Sequence, residues 1–265
     1  MEKNQLLELV KQHFESFEGN TILEKDAIYP GAAGIQMFEQ PLVGFGAADD
    51  TLFHTYQSEE VIGPWHMLPT EWLPEAKTVI SFFFPFSEAV RKSNRKSAEA
   101  PSPEWLHGRI EGQQYLNGFM RELSHLLSEQ GIHNCVPAID ARFKALQYSS
   151  NWSERHAAYA CGLGTFGLSK GLITEKGIAG RFASVIIDME IPADERKYTG
   201  IYDYCTQCGV CVKRCPANAI SLEDGKNHDV CNAWVKKMGE LYAPRYGCGL
   251  CQTGVPCEYR IPRRN

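Results

Sequence analysis

Ten cysteines stand in this 265-residue chain, and eight of them fall between positions 205 and 257. The first four read Cys205-x2-Cys208-x2-Cys211-x3-Cys215-Pro216, the bacterial ferredoxin spacing for a [4Fe–4S] cluster with its closing proline. In two-cluster ferredoxins the fourth cysteine of such a run ligates the other cluster. A second cluster then requires more thiolates downstream, and Cys231, Cys248, Cys251 and Cys257 supply them. The expected partition puts Cys205, Cys208, Cys211 and Cys257 on one cluster and Cys215, Cys231, Cys248 and Cys251 on the other. A zinc ribbon uses four ligands, often as two CxxC pairs, and leaves three cysteines at steps of three before x3-Cys-Pro unexplained. A disulfide framework needs an oxidising compartment, and the chain start shows no export signal.

Iron–sulfur clusters move single electrons, so two in series form a short wire. The cysteines occupy only the last 65 or so residues, and roughly 200 remain in front of them, enough for a domain with its own core. The expected organisation is α+β. Residues 1–195 form an α/β cofactor domain, and residues 196–265 form a ferredoxin-like module for two clusters. A wire fused to such a domain suggests a reductase whose second cofactor lies there.

Bulk properties narrow the class. The chain is 43% hydrophobic with a formal charge of −5, which gives no basic footprint for nucleic acid. No run of 18 apolar residues occurs, so no transmembrane helix is expected. The start, MEKNQLLELVKQHFESFEGN, lacks the apolar core of a signal peptide. Its Leu6, Leu7, Val10, Phe14 and Phe17 instead share one helical face. Cytoplasmic residence is expected, and reduced thiols suit it.

The elements that must position the chemistry are legible in part. Thr78–Phe84 (TVISFFF) predicts a buried central strand. The polar stretch 88–104, with two prolines, predicts a surface loop. Residues 111–131 predict a helix with an apolar face at Tyr115, Leu116, Phe119, Met120, Leu123, Leu126 and Leu127, ended by Gly131. Residues 151–161 predict a second helix capped by Asn151, and 181–189 a strand. Asp229 is the expected cap of a helix to about 239, with Cys231, Trp234, Val235 and Met238 on one face. The glycine- and proline-rich stretch 30–70 reads either as a cover over a cofactor or substrate or as an irregular wrap.

Several motifs are absent or misplaced. Gly162-x-Gly164-x-x-Gly167 matches GxGxxG, but it follows a helix-like segment rather than a strand, which excludes a Rossmann site. Its glycines can still let backbone approach another flat cofactor. No HExxH, GxxxxGK[ST], GxSxG or CxxCH occurs. His54 and His66 each read as structural, and Cys135 and Cys161 as small buried hydrophobes.

The order of AKTVISFFFPF, ERHAAYACGLGTFGLSKGLIT, CxxCxxCxxxCP, a lone cysteine and CxxC with a last cysteine resembles the epoxyqueuosine reductase family, which is related to the reductive dehalogenases. The likeness spans about 60–260. Its most specific parts are the eight cysteines and Glu154-Arg155 set eight residues before Gly162-Leu163-Gly164. The resemblance implies two [4Fe–4S] clusters, with the pairing given above, beside a cobalamin in a nitroreductase-like domain. It also implies reduction by an external low-potential electron donor.

Four departures set this chain apart. Tyr148 occupies the place, six residues before the Glu-Arg pair, where the tRNA-modifying enzymes carry an aspartate proton donor. Tyr148 therefore becomes the candidate acid, as a tyrosine is in the dehalogenases. Leu168 replaces a lysine, five residues rather than three separate Cys251 from Cys257, and the chain stops eight residues later. The expected substrate is accordingly a small molecule rather than tRNA. FMN in the same domain is the alternative cofactor, and a non-enzymatic two-cluster carrier or corrinoid-handling protein is the alternative role.

Overall fold

A computed structural model describes residues 1–263; Arg264 and Asn265, the end of the expected second module, lie outside the described residues. The fold is built on strand β2 (Thr78–Pro85), whose eight residues are all buried. It pairs antiparallel with β1 (Leu42–Ala47) on one side and with β6 (Gly180–Ile187) on the other. A two-residue β3 (Asn134–Cys135) then pairs with β6, giving the order β1-β2-β6-β3.

Because side chains alternate across a strand, β2 feeds two cores. Ile80, Phe82 and Phe84 face helix α1 (Lys3–Ser16) and the long helix α3 (Pro103–Glu129), with Leu6, Val10, Phe119 and Leu123. Val79 faces the opposite layer, with Phe53, Trp72, Trp152, Ala157 and Cys161 around helix α4 (Glu154–Ala160). Gly44 of β1 is obligatory there, since a Cβ would lie 2.5 Å from the Cys161 carbonyl oxygen. The strand predicted at 181–189 is β6. Cys135 and Cys161 are buried as expected.

Three local expectations are corrected. Stretch 88–104 is not a surface loop: Ser87 caps helix α2 (Glu88–Lys96) by accepting a bond from the Val90 N–H, and α3 starts at Pro103 behind its own cap, Ser102. The polar face of α2 is buried because its groups are paired. Asn94 is fully buried, accepts from the Ser102 N–H at 3.0 Å and donates to Thr253 Oγ1 at 3.0 Å. Asn151 does not cap α4, because its side chain is engaged by the Lys144 N–H and the Arg142 carbonyl. Asn227, not Asp229, caps helix α5 (His228–Tyr242).

The cysteine-bearing part contains a local repeat. Cys208-Gly209-Val210-Cys211 and Cys248-Gly249-Leu250-Cys251 each place a glycine at φ 69° before a short helical turn, a conformation that favours glycine. Between them lie the hairpin β7 (Ile220–Ser221) to β8 (Gly225–Lys226) and α5. Beyond Cys251 the chain returns to the sheet side, where Ile178 and Ala179 donate backbone bonds to the Cys257 and Glu258 carbonyls. The small hairpin of β4 (Gly164–Phe166) and β5 (Leu172–Thr174) lies next to that junction in sequence. Among the described residues no helix is long and apolar enough to cross a membrane.

Glu258 anchors this return. Its side chain is almost wholly buried and accepts two bonds from Arg95 of α2, at 2.6 and 3.1 Å, plus the Gly254 N–H at 2.7 Å. Arg95 is 42% exposed, but its removal leaves the buried Glu258 carboxylate short of two bonds. Arg95→Ala is therefore expected to lower the free energy of anaerobic denaturant unfolding by about 2 kcal/mol, with Arg95→Lys recovering part of the loss. An Arg95→Ala protein as stable as its parent would show that this contact does not hold the C-terminal segment.

Candidate functional site

The eight cysteines line two cavities. Cys205, Cys208, Cys211 and Cys257 line one small cavity, together with Gly167, Ile173 and Val255. Cys215, Cys231, Cys248 and Cys251 line another that is far larger, about 670 Å³. The electrostatic neighbours of the Cys257 thiol are Cys205, Cys211 and Cys208, and those of Cys248 are Cys251, Cys231 and Cys215. Cys211 and Cys251 act on each other across the two groups, so the groups adjoin. Among the described residues no three His, Cys, Asp or Glu side chains gather tightly enough for a single metal ion. The thiols thus form two open sets around space.

That donor set suits a polynuclear cation. Burial pushes the Cys248 and Cys257 thiols up to about 12 and Cys211 up to about 11. The free thiols stay protonated at neutral pH, and thiolates become favourable only when metal charge compensates them. The main-chain N–H of Ala219 already points at Cys215 Sγ, at 3.2 Å, the kind of bond that tunes a cluster's potential.

The large cavity lies between the cysteine-bearing part and the α/β part. Its walls include Trp105, Trp152 and Trp234, and Gly171, Gly180, Gly247 and Gly249. At Gly249 a Cβ would fall 1.9 Å from the Trp105 indole, so only glycine permits this approach. Arg109, Gln113 and Asn117, at intervals of four on α3, face the cavity along with Arg155, Arg181 and Lys226. One acid, Glu154, accompanies these four cations. Arg155 lies deep in the molecule yet is exposed, because it borders the cavity rather than packed protein; it donates to the Lys170 carbonyl at 2.7 Å.

Glu154 has an unusual environment. Both carboxylate oxygens are buried and neither makes a hydrogen bond. The Trp152 indole and the Ser184 hydroxyl lie close and draw its pKa down slightly, but they bond to each other at 2.9 Å and not to the carboxylate. Desolvation wins and raises the Glu154 pKa to about 7. Two histidines near it in packing or sequence are held neutral too: burial lowers His66, stacked on Trp152 at 5.5 Å, to about 4 and His156 to about 3. The cavity therefore has a proton-holding acid in its wall.

The other expected residues fall elsewhere. Tyr148 is 41% exposed, donates to Asp229 of α5 and stacks on His228 at 5.5 Å, outside the residues that line the cavity. Gly162 lies against Asp194 and Glu195. Gly164 lets β4 close on β5, since a Cβ would meet the Ile173 carbonyl oxygen at 1.9 Å. Of the three glycines only Gly167 reaches a cysteine cavity, that of Cys205. Nothing in 30–70 lines either cavity, so that stretch is a wrap. Cys231, Trp234 and Val235 line the large cavity from one face of α5, as their spacing predicts. The polar stripe 109, 113, 117 was the missed signal, hidden within a helix whose other face is core.

The cysteine geometry and the sheet define an iron–sulfur protein of mixed α/β fold, and comparison with known proteins agrees. The 4Fe-4S binding domain family matches residues 198–221. Over 108 residues, 38% of this chain, the sequence is 40% identical to a tetrachloroethene reductive dehalogenase of Desulfitobacterium hafniense; a second, from Dehalobacter restrictus, is 40% identical over 107 residues. These alignments take in 20% and 19% of the two dehalogenases, so the chain spans about a fifth of the length of the curated relatives it matches.

Solved structures extend the likeness to the whole fold. An epoxyqueuosine reductase with an epoxyqueuosine-modified tRNA-Tyr stem loop superposes with a TM-score of 0.58 at 16% identity, covering 97% of this chain and 65% of that one. The epoxyqueuosine reductase of Streptococcus thermophilus gives 0.56 at 15%, covering 99% and 68%. A catabolic reductive dehalogenase gives 0.55 at 15%, covering 83% and 30%. The chain shares the fold of the epoxyqueuosine reductases and reductive dehalogenases, as its sequence predicts.

Glu154 supplies a direct test. Its folded-state pKa is raised, so the folded protein keeps a proton that the unfolded chain releases near 4.5. Stability from this group is whole below that value, declines as pH rises to about 7 and is then lost. Glu154→Gln is expected to remove the decline, a gain of about 3 kcal/mol above the upper pKa. In the parent an infrared band of a protonated carboxyl should persist to near neutrality and vanish in the variant. A band already lost at the ordinary carboxylate pH would refute the assignment.

Proposed function

We propose that this protein is an oxidoreductase that passes electrons through two [4Fe–4S] clusters to a corrinoid bound in the large cavity, for reduction of a small molecule. The carrying observation is that the second set of four thiols and a wall of buried polar groups border the same space. Cys205, Cys208, Cys211 and Cys257 would hold one cluster, and Cys215, Cys231, Cys248 and Cys251 the other. On this reading residues 1–195 are a nitroreductase-like cofactor domain and residues 196–265 deliver the electrons.

The direction of flow follows from exposure. Cys208 is exposed, so the first cluster faces an external low-potential donor, and the second faces the cavity. The electrostatic influence of Cys251 on Cys211 supports a short step between the two sets. A corrinoid bound in the cavity supplies strongly reducing metal chemistry. Around it the chain's own residues do the rest. Trp105, Trp152 and Trp234 keep out water, Gly249 lets the backbone lie close, and Glu154 holds a proton. Glu154 replaces Tyr148 as the favoured proton source, because Tyr148 donates its hydroxyl to Asp229 and does not line the cavity. Tyr148 in place of an aspartate also supports a small molecule rather than tRNA as substrate.

A flavin in the same cavity is the second reading, favoured by its volume of about 670 Å³, within the usual range for cofactor sites. A cavity of this size beside one set of thiols weighs against a simple electron carrier.

Anaerobic reconstitution should yield roughly eight irons per chain. Cys231→Ala should lower the count towards four and stop dithionite-reduced protein from reducing added hydroxocobalamin, while the first cluster persists in the spectrum. Zinc in place of iron, or iron unchanged by Cys231→Ala, would overturn the cluster assignment. Saturable FMN binding with no response to cobalamin would favour the flavin.

A further inference from the structure

The four cations of the cavity are not equivalent. Lys226 acts on the Cys251 thiol and balances the cysteine set. Arg155 is held by the Lys170 carbonyl. Arg181 and Arg109 remain. The electrostatic neighbours of Arg181 are Arg109 and Tyr246, and no thiol acts on it. Among the described residues neither arginine has an ion pair. Glu111, the acid nearest Arg109 in sequence, is taken by Arg245 at 2.5 and 3.2 Å and by His107. Arg109 stacks instead on the Tyr246 ring at 4.9 Å.

Arg181 is nevertheless aimed with care. Gln113 Nε2 donates to Asn117 Oδ1 at 2.7 Å, which turns Gln113 Oε1 towards Arg181, and Arg181 Nη2 donates to it. The Arg181 Nε–H is buried and has no acceptor. Two guanidinium groups thus converge on one end of the cavity with only neutral groups to meet them. Burial and the charge on Arg109 lower the Arg181 pKa to about 9. A buried, unpaired charge costs several kcal/mol, a cost that an anionic ligand repays through charge-assisted bonds.

We infer that Arg181 and Arg109, oriented by Gln113 and Asn117, form a recognition site for an oxyanion, phosphate or carboxylate, carried by the small molecule that fills the cavity. The site is built on α3 and β6, with Arg109 packed beside Tyr246 and Gly247. The inference deepens the proposed function and rests on that cavity being a binding site. The anion has two sources: the phosphate of a bound cofactor, or an acidic group on the substrate.

Phosphate-bearing and phosphate-free cofactors separate the sources. Cluster-loaded protein is titrated anaerobically with cobalamin and cobinamide, and with FMN and riboflavin, following quenching of the cavity tryptophans. Inorganic phosphate is titrated by calorimetry, with and without bound cofactor. If the cofactor is the source, the phosphate-bearing member of a pair binds at least about tenfold tighter, and Arg181→Gln abolishes the difference. If the substrate is the source, both members of each pair bind alike and phosphate still binds to the cofactor-loaded protein, weakened by Arg181→Gln. Arg181→Lys, which keeps charge but loses the fork, retains part of the effect, and unchanged iron content and circular dichroism exclude misfolding. Phosphate binding without corrinoid or flavin binding would sink the proposed function and leave this site standing. No phosphate binding and no discrimination, or binding unchanged in both Arg181→Gln and Arg109→Gln, would overturn the site.

Discussion

The Glu258 carboxylate is the contact on which the arrangement turns. A thiol set drawn from positions 205, 208, 211 and 257 exists only if the chain returns across some fifty residues. Arg95 and the Gly254 N–H fix that return, and the backbone bonds from Ile178 and Ala179 hold the adjoining segment against the α/β part. The same docking is reinforced by Arg214, whose guanidinium bonds the Thr253 carbonyl and two carbonyls at the end of α2, those of Asn94 and Ser97. A helix end leaves such acceptors unsatisfied, so one side chain completes α2 and ties it to the cysteine-bearing part. The cavity is the space enclosed when these two parts meet.

The electrostatics of that space are uneven. Its lining brings four cations and one carboxyl, and burial keeps the carboxyl protonated to near neutrality. Lys226 acts on the Cys251 thiol. Arg109 and Arg181 have no ion pair among the described residues. In a medium of low dielectric such an imbalance is costly unless a ligand completes it. The distribution of charge therefore suits a ligand that carries a negative group.

Known relatives place this chain between two enzyme groups whose fold it shares. Its sequence identity to dehalogenases is confined to 38% of its length, and its structural likeness to both groups covers most of it. Two local features were singled out by the family resemblance: Tyr148, bonded to Asp229, and the five residues between Cys251 and Cys257. That longer gap contains the turn Gly254–Glu258, where Gly254 takes φ 68° and donates to Glu258. The irregular spacing is thus part of the device that brings Cys257 home.

Much of this was legible in the sequence. Ligand spacing is a local property, so the eight cysteines and their grouping could be read from intervals alone. The central strand and the core face of α3 were equally plain, because burial on both faces or on one stripe writes its period into the chain. Helix α2 and the polar stripe Arg109, Gln113 and Asn117 were not, since their polar residues gain partners from distant segments as well as near ones: Asn94 from Thr253, and Gln113 from Arg181. Tyr148 and the 162–167 glycines carried a motif's position but not its surroundings. The sequence by itself determined the eight-cysteine pattern and its ferredoxin spacing. Only the tertiary structure decided that one thiol set opens onto a cavity, that Glu154 keeps its proton there, and that two arginines wait unpaired, because desolvation and charge balance depend on what the fold brings near and not on order along the chain.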